Sequence, residues 1–362
     1  MDSRKLTRRS FLKFAGFSLL GLGLGLVSSP RPARSRGRGQ GPLTLSYPLS
    51  LDAIPLEFAH KRGLFQAHGL KVELLLLPED LSRREAFISG RLDGLICDLS
   101  TVVFGLTNAG AEIAVTSTAF ESIGGARVLA LMGSGPFRVH TLEELFSRIS
   151  GRSHESIMIL QETDMHFATD QLLESLGREF DDRVIYTEGG DLINIYTLLI
   201  GGSVLAAVLP EPLATLAGPE DIFLQERDRA FYLSTYEGIR LMPSVISFQR
   251  RVLEGREKEL ELFYEVYSKA VEEINRAPRE EFLELMAEIG VELFNRVLPE
   301  GGLGREDLPE GFLEIFDVPQ FPRPRQLREE ELEVLVAWAR RKGFIREEVS
   351  YAQVVDNRFL MA

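Results

Sequence analysis

Polar side chains recur directly after short apolar runs of this sequence, where a strand would end and a helix would begin. Such positions suit small-molecule binding, because helix N-termini present free N–H groups and open α/β sheets form their ligand crevices at the carboxyl ends of strands. The candidate set comprises carboxylates, hydroxyls, one imidazole and two flanking aromatic rings: Tyr47, Ser50, Asp52, Asp98, Ser100, Phe120, Thr163, Asp164, His166 and Glu211.

Several of these residues also have a purely structural interpretation. Asp98 and Ser100 begin a predicted helix and either cap it or contact a ligand, and Asp164 is the expected N-cap of a later helix. His166, in the first turn of that later helix, either points back towards the crevice or lies in solvent. Glu211 precedes a proline at a predicted helix start, which fits a cap as well as a binding role.

Tyr47 and Phe120 are candidate aromatic walls of a crevice, and core packing explains them about as well. Cys97 is the single cysteine and lies in an apolar, strand-like run. No intrachain disulfide can therefore form, and we expect the thiol in the core.

Catalytic motifs are missing from the sequence. Gly-x-Ser-x-Gly does not occur, and no Gly-rich loop fits a phosphate or dinucleotide fingerprint. The five histidines are scattered without His-Glu-x-x-His or His-x-His spacing, which argues against a zinc site. We therefore expect a protein that is not an enzyme and that has no cofactor and no dedicated metal site.

Short apolar runs alternate with helical patterns along the body of the chain, which predicts an α/β architecture with parallel strands. The first group has strands at 43–47, 71–77, 94–97 and 112–117 and helices at 54–61, 81–89 and 100–108. The second group has strands at 127–132, 156–160, 183–186 and 204–209 and helices at 141–147, 164–176 and 192–200. Strands return at 231–233 and 244–248, and helices follow at 257–276, 278–289 and 328–342.

This order predicts two lobes, since 362 residues are too many for one average domain. The expected parts are a signal peptide at 1–33, a basic leader at 34–41, a first lobe at 42–122, a second lobe at 123–228 and a return to the first lobe at 229–362, with the C-terminal helices packed on that lobe.

A similar pattern occurs once in each lobe, at 88–98 and at 200–211: a helix end, a glycine turn, a buried strand and an acidic residue. Two lobes built alike would place Asp98 and Glu211 at the carboxyl ends of strands, where a crevice forms.

The N-terminus carries an export signal. Arg8 and Arg9 precede Phe-Leu-Lys at 11–13, and the apolar run 14–27 is too short and glycine-rich for a spanning helix. This pattern is typical of twin-arginine signals. No cysteine follows the run, so we expect a periplasmic protein without a lipid anchor.

The charge of the chain argues against nucleic-acid partners. The net charge is −13, and residues 1–33 carry six positive side chains and one negative, so the rest of the chain has a net charge of −18. Such an acidic body repels phosphates and anionic headgroups.

Five stretches occur in a characteristic order and spacing: 54–65, 68–73, 89–94, 202–212 and 342–355. In these stretches the chain resembles the periplasmic solute-binding proteins that serve ABC transporters for thiamine precursors, nitrate and sulfonates. The resemblance implies the type 2 periplasmic binding fold, in which two Rossmann-like lobes joined by a hinge close over one small ligand, with crossovers near 120–125 and 226–236. Leu205 and Pro210 depart from the pattern, which usually has Asp and an aromatic residue there.

On this resemblance we expect a monomer that captures a small molecule in its cleft and delivers it to an ABC transporter permease. An exported binding module for a sensor or chemoreceptor would use the same cleft, and an exported enzyme is the third alternative. The candidate residues are mostly acidic or neutral, which favours an amino-substituted heterocycle such as a thiamine precursor. Nitrate or an alkanesulfonate is the other alternative, because helix N-termini alone can hold anions.

We predict that changing both Arg8 and Arg9 to lysine stops export, because the twin-arginine translocase reads the arginine pair. Cell fractionation should then find the precursor in the cytoplasm. Unchanged export of the double variant would contradict this route.

Overall fold

The computed structural model of the protein describes residues 41–48, 50–77, 80–121, 128–149, 156–178, 185–187, 191–219, 224–284, 287–288, 291, 304, 312–315 and 319–360. The signal peptide and nearly all of the basic leader lie outside these residues. Within them, no helix combines the length and the apolar character needed to cross a membrane.

Strands and helices alternate in the first lobe, as expected. Its elements are β1 (Leu43–Ser46), α1 (Ile54–Lys61), α2 (Leu64–Ala67), β2 (Val72–Leu74), α3 (Asp80–Ile88), β3 (Gly94–Cys97), α4 (Leu99–Ala109) and β4 (Ile113–Phe120). A short 3-10 turn at Leu51–Ala53 leads into α1. Strands β1, β3 and β4 are buried at every position, because helices cover both faces of the sheet.

The second lobe alternates in the same way before the chain returns to the first. Its elements are β5 (Leu129–Gly133), α5 (Leu142–Arg148), β6 (Ile157–Leu160), α6 (Asp164–Ser175), β7 (Ile185–Thr187), α7 (Leu192–Ile200), β8 (Ala206–Pro210), α8 (Leu213–Ala217) and β9 (Phe231–Ser234). The returning part contains β10 (Ser244–Gln249), α9 (Arg250–Gly255), α10 (Glu257–Arg276), α11 (Glu329–Arg341) and α12 (Tyr351–Val354). The helix predicted over 278–289 lies partly outside the described residues.

The two five-stranded sheets share one topology. Their strand orders are β2-β1-β3-β10-β4 and β7-β6-β8-β5-β9. In the two sheets, β3 and β8 each lie between a parallel neighbour, β1 or β6, and a strand that enters from the other lobe, β10 or β5. The repeated sequence pattern at 88–98 and 200–211 therefore corresponds to equivalent places in the two sheets.

The predicted parallel strands are present in both sheets, and one strand in each sheet runs antiparallel to its neighbours. Strand β10 runs antiparallel to β3 and β4, and β5 runs antiparallel to β8 and β9. The strands that enter after a crossover arrive from the opposite lobe, and no βαβ connection within their own sheet fixes their direction.

The second crossover lies later than expected. Strand β9 pairs with β5 of the second sheet, and Tyr236 is buried in the second lobe's core. The return to the first lobe therefore falls between β9 and β10 rather than at residue 229. An apolar run by itself does not reveal which sheet it joins, which is why the sequence misplaced this boundary.

The returning helices pack on the first lobe, as expected. Phe263 of α10 stacks on Phe65 of α2, with 5.6 Å between ring centroids, and Tyr267 stacks on Phe263 at 5.8 Å. Helix α11 buries Leu335 and Trp338 in a second cluster that also contains residues of α3 and α4.

Arg325 fixes the segment that precedes α11 to the edge strand β4. The backbone N–H of Thr118 donates to the Arg325 carbonyl oxygen at 2.9 Å, and the guanidinium group bonds to both Glu121 and Glu331. Burial raises the pKa of Glu331, but hydrogen bonds from Arg325 and Arg328 outweigh burial and lower it to about 2.

We predict that Glu331→Gln lowers the free energy of unfolding by about 2 kcal/mol near neutral pH, since hydrogen bonds to charged groups contribute about 1.5–3 kcal/mol. The folded-state pKa lies below the ordinary value of 4.5. The contribution is therefore present above that value and is lost as the pH falls towards the folded-state pKa.

Urea unfolding near neutral pH and in acid measures the difference in the free energy of unfolding between the unchanged protein and Glu331→Gln. This difference should be smaller in acid. Glu330→Gln is the matched control, because Glu330 is its exposed neighbour. Equal stabilities of the two variants near neutral pH would contradict the assignment.

Candidate functional site

The polar loops of each lobe lie at one edge of its sheet. Strands β1 and β3 are parallel neighbours, so the loop with Asp52 and the loop with Asp98 leave the first sheet on the same side. Strands β6 and β8 are likewise parallel neighbours, which places Asp164 and Glu211 on one side of the second sheet. Asp52 and Asp164 thus follow β1 and β6, and Asp98 and Glu211 follow β3 and β8, which occupy equivalent places in the two sheets.

The two lobes meet at the N-termini of α4 and α6. The backbone N–H groups of Leu99 and Ser100 donate to the two carboxylate oxygens of Asp164, at 2.9 and 3.1 Å. In return, the backbone N–H of Asp164 donates to the carboxylate of Asp98, at 3.2 Å. Each helix N-terminus therefore receives a carboxylate from the other lobe, which satisfies N–H groups that a helix start leaves free.

The caps of these helices differ from the expectation. Thr163, not Asp164, is the N-cap of α6, and its hydroxyl accepts from the backbone N–H of His166 at 3.3 Å. Asp98 is at the N-cap position of α4 without a capping hydrogen bond to that helix. Ser100 is fully buried in the first turn of α4. The sequence placed the acids correctly at helix starts but could not show that they cross between lobes.

Burial is the main influence on the pKa values of the carboxyl groups where the lobes meet. It raises the pKa of Asp164 to about 6, against the hydrogen bonds from Ser100 and Leu99, and the negative charge of Asp52 raises it further. Burial also raises the pKa of Asp52, although hydrogen bonds from Ser244 and Ser50 oppose this. Two partly buried carboxylates from opposite lobes therefore repel each other here.

Tyr267 is a buried residue of α10 whose hydroxyl the sequence analysis did not single out. Its hydroxyl is buried without a hydrogen-bond partner, and its pKa is raised by burial and by the negative charge of Asp52. Since it lies on the buried face of α10, its spacing matched that of an ordinary core residue. The negative charge of Asp52 acts on this hydroxyl, an interaction that the sequence pattern did not reveal.

The two candidate aromatic walls are core residues. Tyr47 is fully buried in the main cluster of the first lobe, and its hydroxyl has no hydrogen-bond partner. Phe120 packs against Phe321, with 5.6 Å between the ring centroids. Core packing, the alternative considered for both, accounts for them in the structure.

His166 does not face the crevice. It is fully buried, edge-on to the rings of Trp338 and Phe344 at 5.1 and 5.5 Å. Burial lowers its pKa to about 4, although the nearby Asp170 opposes this shift. A helix turns by about 100° per residue, so a side chain two positions after Asp164 faces nearly the opposite way.

His166 belongs to a second contact between the lobes, formed by α6 and α11. The carboxylate of Asp170 accepts from the Trp338 indole N–H at 2.8 Å and pairs with Lys342 at 3.0 Å. Phe167 packs against Trp338, with 5.5 Å between ring centroids. Helix α11 therefore holds the second lobe as well as the first.

Glu211 lies at the N-terminus of α8. It is buried, and its carboxylate accepts from the backbone N–H of Thr215 at 3.2 Å. Glu211 therefore bonds to the first turn of α8, although Pro212 rather than Glu211 is at the N-cap position. Among the described residues, no group of three or more histidines, cysteines or acids could hold a metal ion.

Comparison with known proteins places this geometry in a family of folds. No protein-family model and no curated protein sequence matches the chain. Solved structures do match it. A ligand-binding component of an ABC-type import system from Staphylococcus aureus, with zinc bound, has a TM-score of 0.67 and 13% identity, over 88% of this chain and 98% of the other.

Two further structures are similar over most of the chain. The alkanesulfonate-binding protein SsuA from Xanthomonas axonopodis pv. citri, bound to MOPS, has a TM-score of 0.65 and 16% identity, over 87% of this chain and 98% of the other. The periplasmic nitrate-binding protein NrtA from Synechocystis has a TM-score of 0.63 and 13% identity, over 90% and 88% of the two chains. The expected two-lobed periplasmic binding fold is thereby confirmed.

We predict that Asp52→Asn lowers the pKa of Asp164 below its value of about 6. Removing a nearby negative charge favours the ionised form of the remaining carboxyl group. The carboxyl chemical shift of Asp164 against pH measures this. Glu174→Gln is the control, because it removes a charge from the exposed end of the same helix. An unchanged Asp164 titration in Asp52→Asn would contradict the coupling.

Proposed function

We propose that this protein is the exported solute-binding component of an ABC importer, which captures a small molecule between its lobes and delivers it to the permease. The observation that carries the proposal is the meeting of two topologically equivalent lobes at their ligand-facing edges, through Asp98 and Asp164. In open α/β sheets this edge is where ligands bind.

The other features of the chain agree with this role. The twin-arginine pattern at the N-terminus fits export to the periplasm, and the sequence has no catalytic motif. The solved structures with the same fold include components of ABC import systems. We propose that the protein acts as a monomer. Its partner during export is the twin-arginine translocase, and its partner in transport is the permease.

For the ligand, we propose a neutral or cationic molecule with amine donors, such as an amino-substituted heterocycle of the thiamine-precursor type. The support is electrostatic: Asp52 and Asp164 are partly buried and repel each other, so a donor group placed between them lowers the cost of ionising both. A charge-assisted hydrogen bond to either carboxylate contributes about 1.5–3 kcal/mol, or about ten- to a hundredfold in affinity.

Glu211 remains a candidate for the second-lobe side of the cleft, because it ends the strand equivalent to β3. Ser50, Ser100 and Thr163 complete the polar set as hydroxyl groups. His166 is not proposed as a ligand contact.

We predict that binding closes the lobes further. A ligand can shift the equilibrium between open and closed forms only through better contacts in the closed form. A thermal-shift screen of amines, aminopyrimidines, sulfonates and nitrate identifies the binder, since a ligand that binds only the folded state raises the melting temperature. Small-angle scattering should then show a smaller radius of gyration with the ligand than without it.

A non-binding compound of the same screen is the control and should leave the scattering profile unchanged. An identical profile with and without saturating ligand would count against a hinged binding protein.

A further inference from the structure

The first turn of α4 offers the donors that a free oxyanion would use, and one side chain of this protein already occupies them. We propose that Asp164 is a specificity-determining residue: its carboxylate is a built-in substitute for a bound oxyanion and excludes free oxyanions from the cleft. The inference rests on the proposed function, because it concerns the ligand class of the same cleft.

The contact has the form of an anion complex. One N–H group donates to each carboxylate oxygen of Asp164, from Leu99 at 2.9 Å and from Ser100 at 3.1 Å. The Ser100 hydroxyl in the same turn is fully buried and has no hydrogen-bond partner within the described part of the chain. Helix α4 has 11 residues, so its first turn carries the positive end of a full helix dipole.

The position of the carboxylate is fixed from two sides. Asp164 follows its N-cap Thr163 in α6, and its own N–H group donates to Asp98 of the first lobe. A group held in this way competes as an intramolecular ligand, whose effective concentration far exceeds that of most solutes. A free anion must therefore displace the carboxylate as well as bind.

The surroundings add a second barrier to anions and favour another kind of ligand. A displaced Asp164 would leave the incoming anion beside Asp52, a partly buried acid whose negative charge acts on Asp164. The same Asp52 charge acts on the buried, unpartnered hydroxyl of Tyr267. Among the described residues, Arg83 is the cation whose charge acts on Asp52, and its guanidinium group donates to the Leu77 carbonyl oxygen at 2.9 Å.

The fold by itself does not exclude oxyanions. Solved structures of the same fold, at 16% and 13% identity, are named as alkanesulfonate-binding and nitrate-binding proteins. In this chain the obstacle to oxyanion binding is the side chain of Asp164 on α6. Its removal should therefore change the ligand class without changing the fold.

The test is calorimetry with sodium nitrate and sodium methanesulfonate, at matched ionic strength and well above the pKa of Asp164. The proteins are the mature chain, Asp164→Ala and the control Glu174→Gln, which removes a charge from the same helix away from α4. We expect no measurable anion binding by the mature chain or the control. Asp164→Ala should bind at least one anion about tenfold or more tightly than the mature chain.

Two results overturn the inference. One is anion binding by the unchanged chain as tight as by Asp164→Ala. The other is an Asp164→Ala protein that melts and scatters as a folded two-lobed protein yet gains no anion binding. Should Asp164→Ala fail to fold, Asp164→Ser keeps a small polar residue in the first turn of α6 and is judged by the same two results.

The proposed function fails by a different measurement. Absence of any bound amine, heterocycle or other solute in the screen of the unchanged chain would count against the importer role. That result would not decide whether Asp164→Ala gains anion binding, which the calorimetry measures separately.

Discussion

The exchange of carboxylates between α4 and α6 is the interaction on which the site depends. Asp98 and Asp164 each lie at a helix start in their own lobe. The carboxylate of Asp98 accepts from the N–H group of Asp164, and the carboxylate of Asp164 accepts from the N–H group of Leu99. Two positive helix ends would repel each other at this distance, and two buried carboxylates would do the same. Because each carboxylate faces the positive helix end of the other lobe, the two helix ends and the two carboxylates attract one another. The lobes can therefore approach only with each acid opposite the helix N-terminus of the other lobe.

Helix α6 takes part in both contacts between the lobes. Its first turn faces α4, whereas Phe167 and Asp170, one and two turns later, face Trp338 of α11. A helix is stiff over this length, so a movement of the N-terminus of α6 is transmitted to α11. The cleft and the contact between α6 and α11 therefore cannot rearrange independently.

The sequence predicted the local elements better than their assembly. The helices at Ile54–Lys61, Leu192–Ile200 and Glu257–Arg276 have the predicted bounds, because apolar spacing and helix breakers act within each segment. The loops that carry Asp52, Asp98 and Asp164 were found for the same reason. What it could not supply depends on partners far along the chain: the direction of the crossover strands, the placement of β9, and which side of α6 faces which lobe.

Trp338 is the chain's single tryptophan, and it lies at the contact between α6 and α11 with its indole N–H bonded to Asp170. Indole emission depends on the polarity and hydrogen bonding around the ring, and here all of it originates from one place between the lobes. The unlabelled protein therefore carries its own fluorescent reporter of lobe arrangement, set apart from the residues that would touch a ligand.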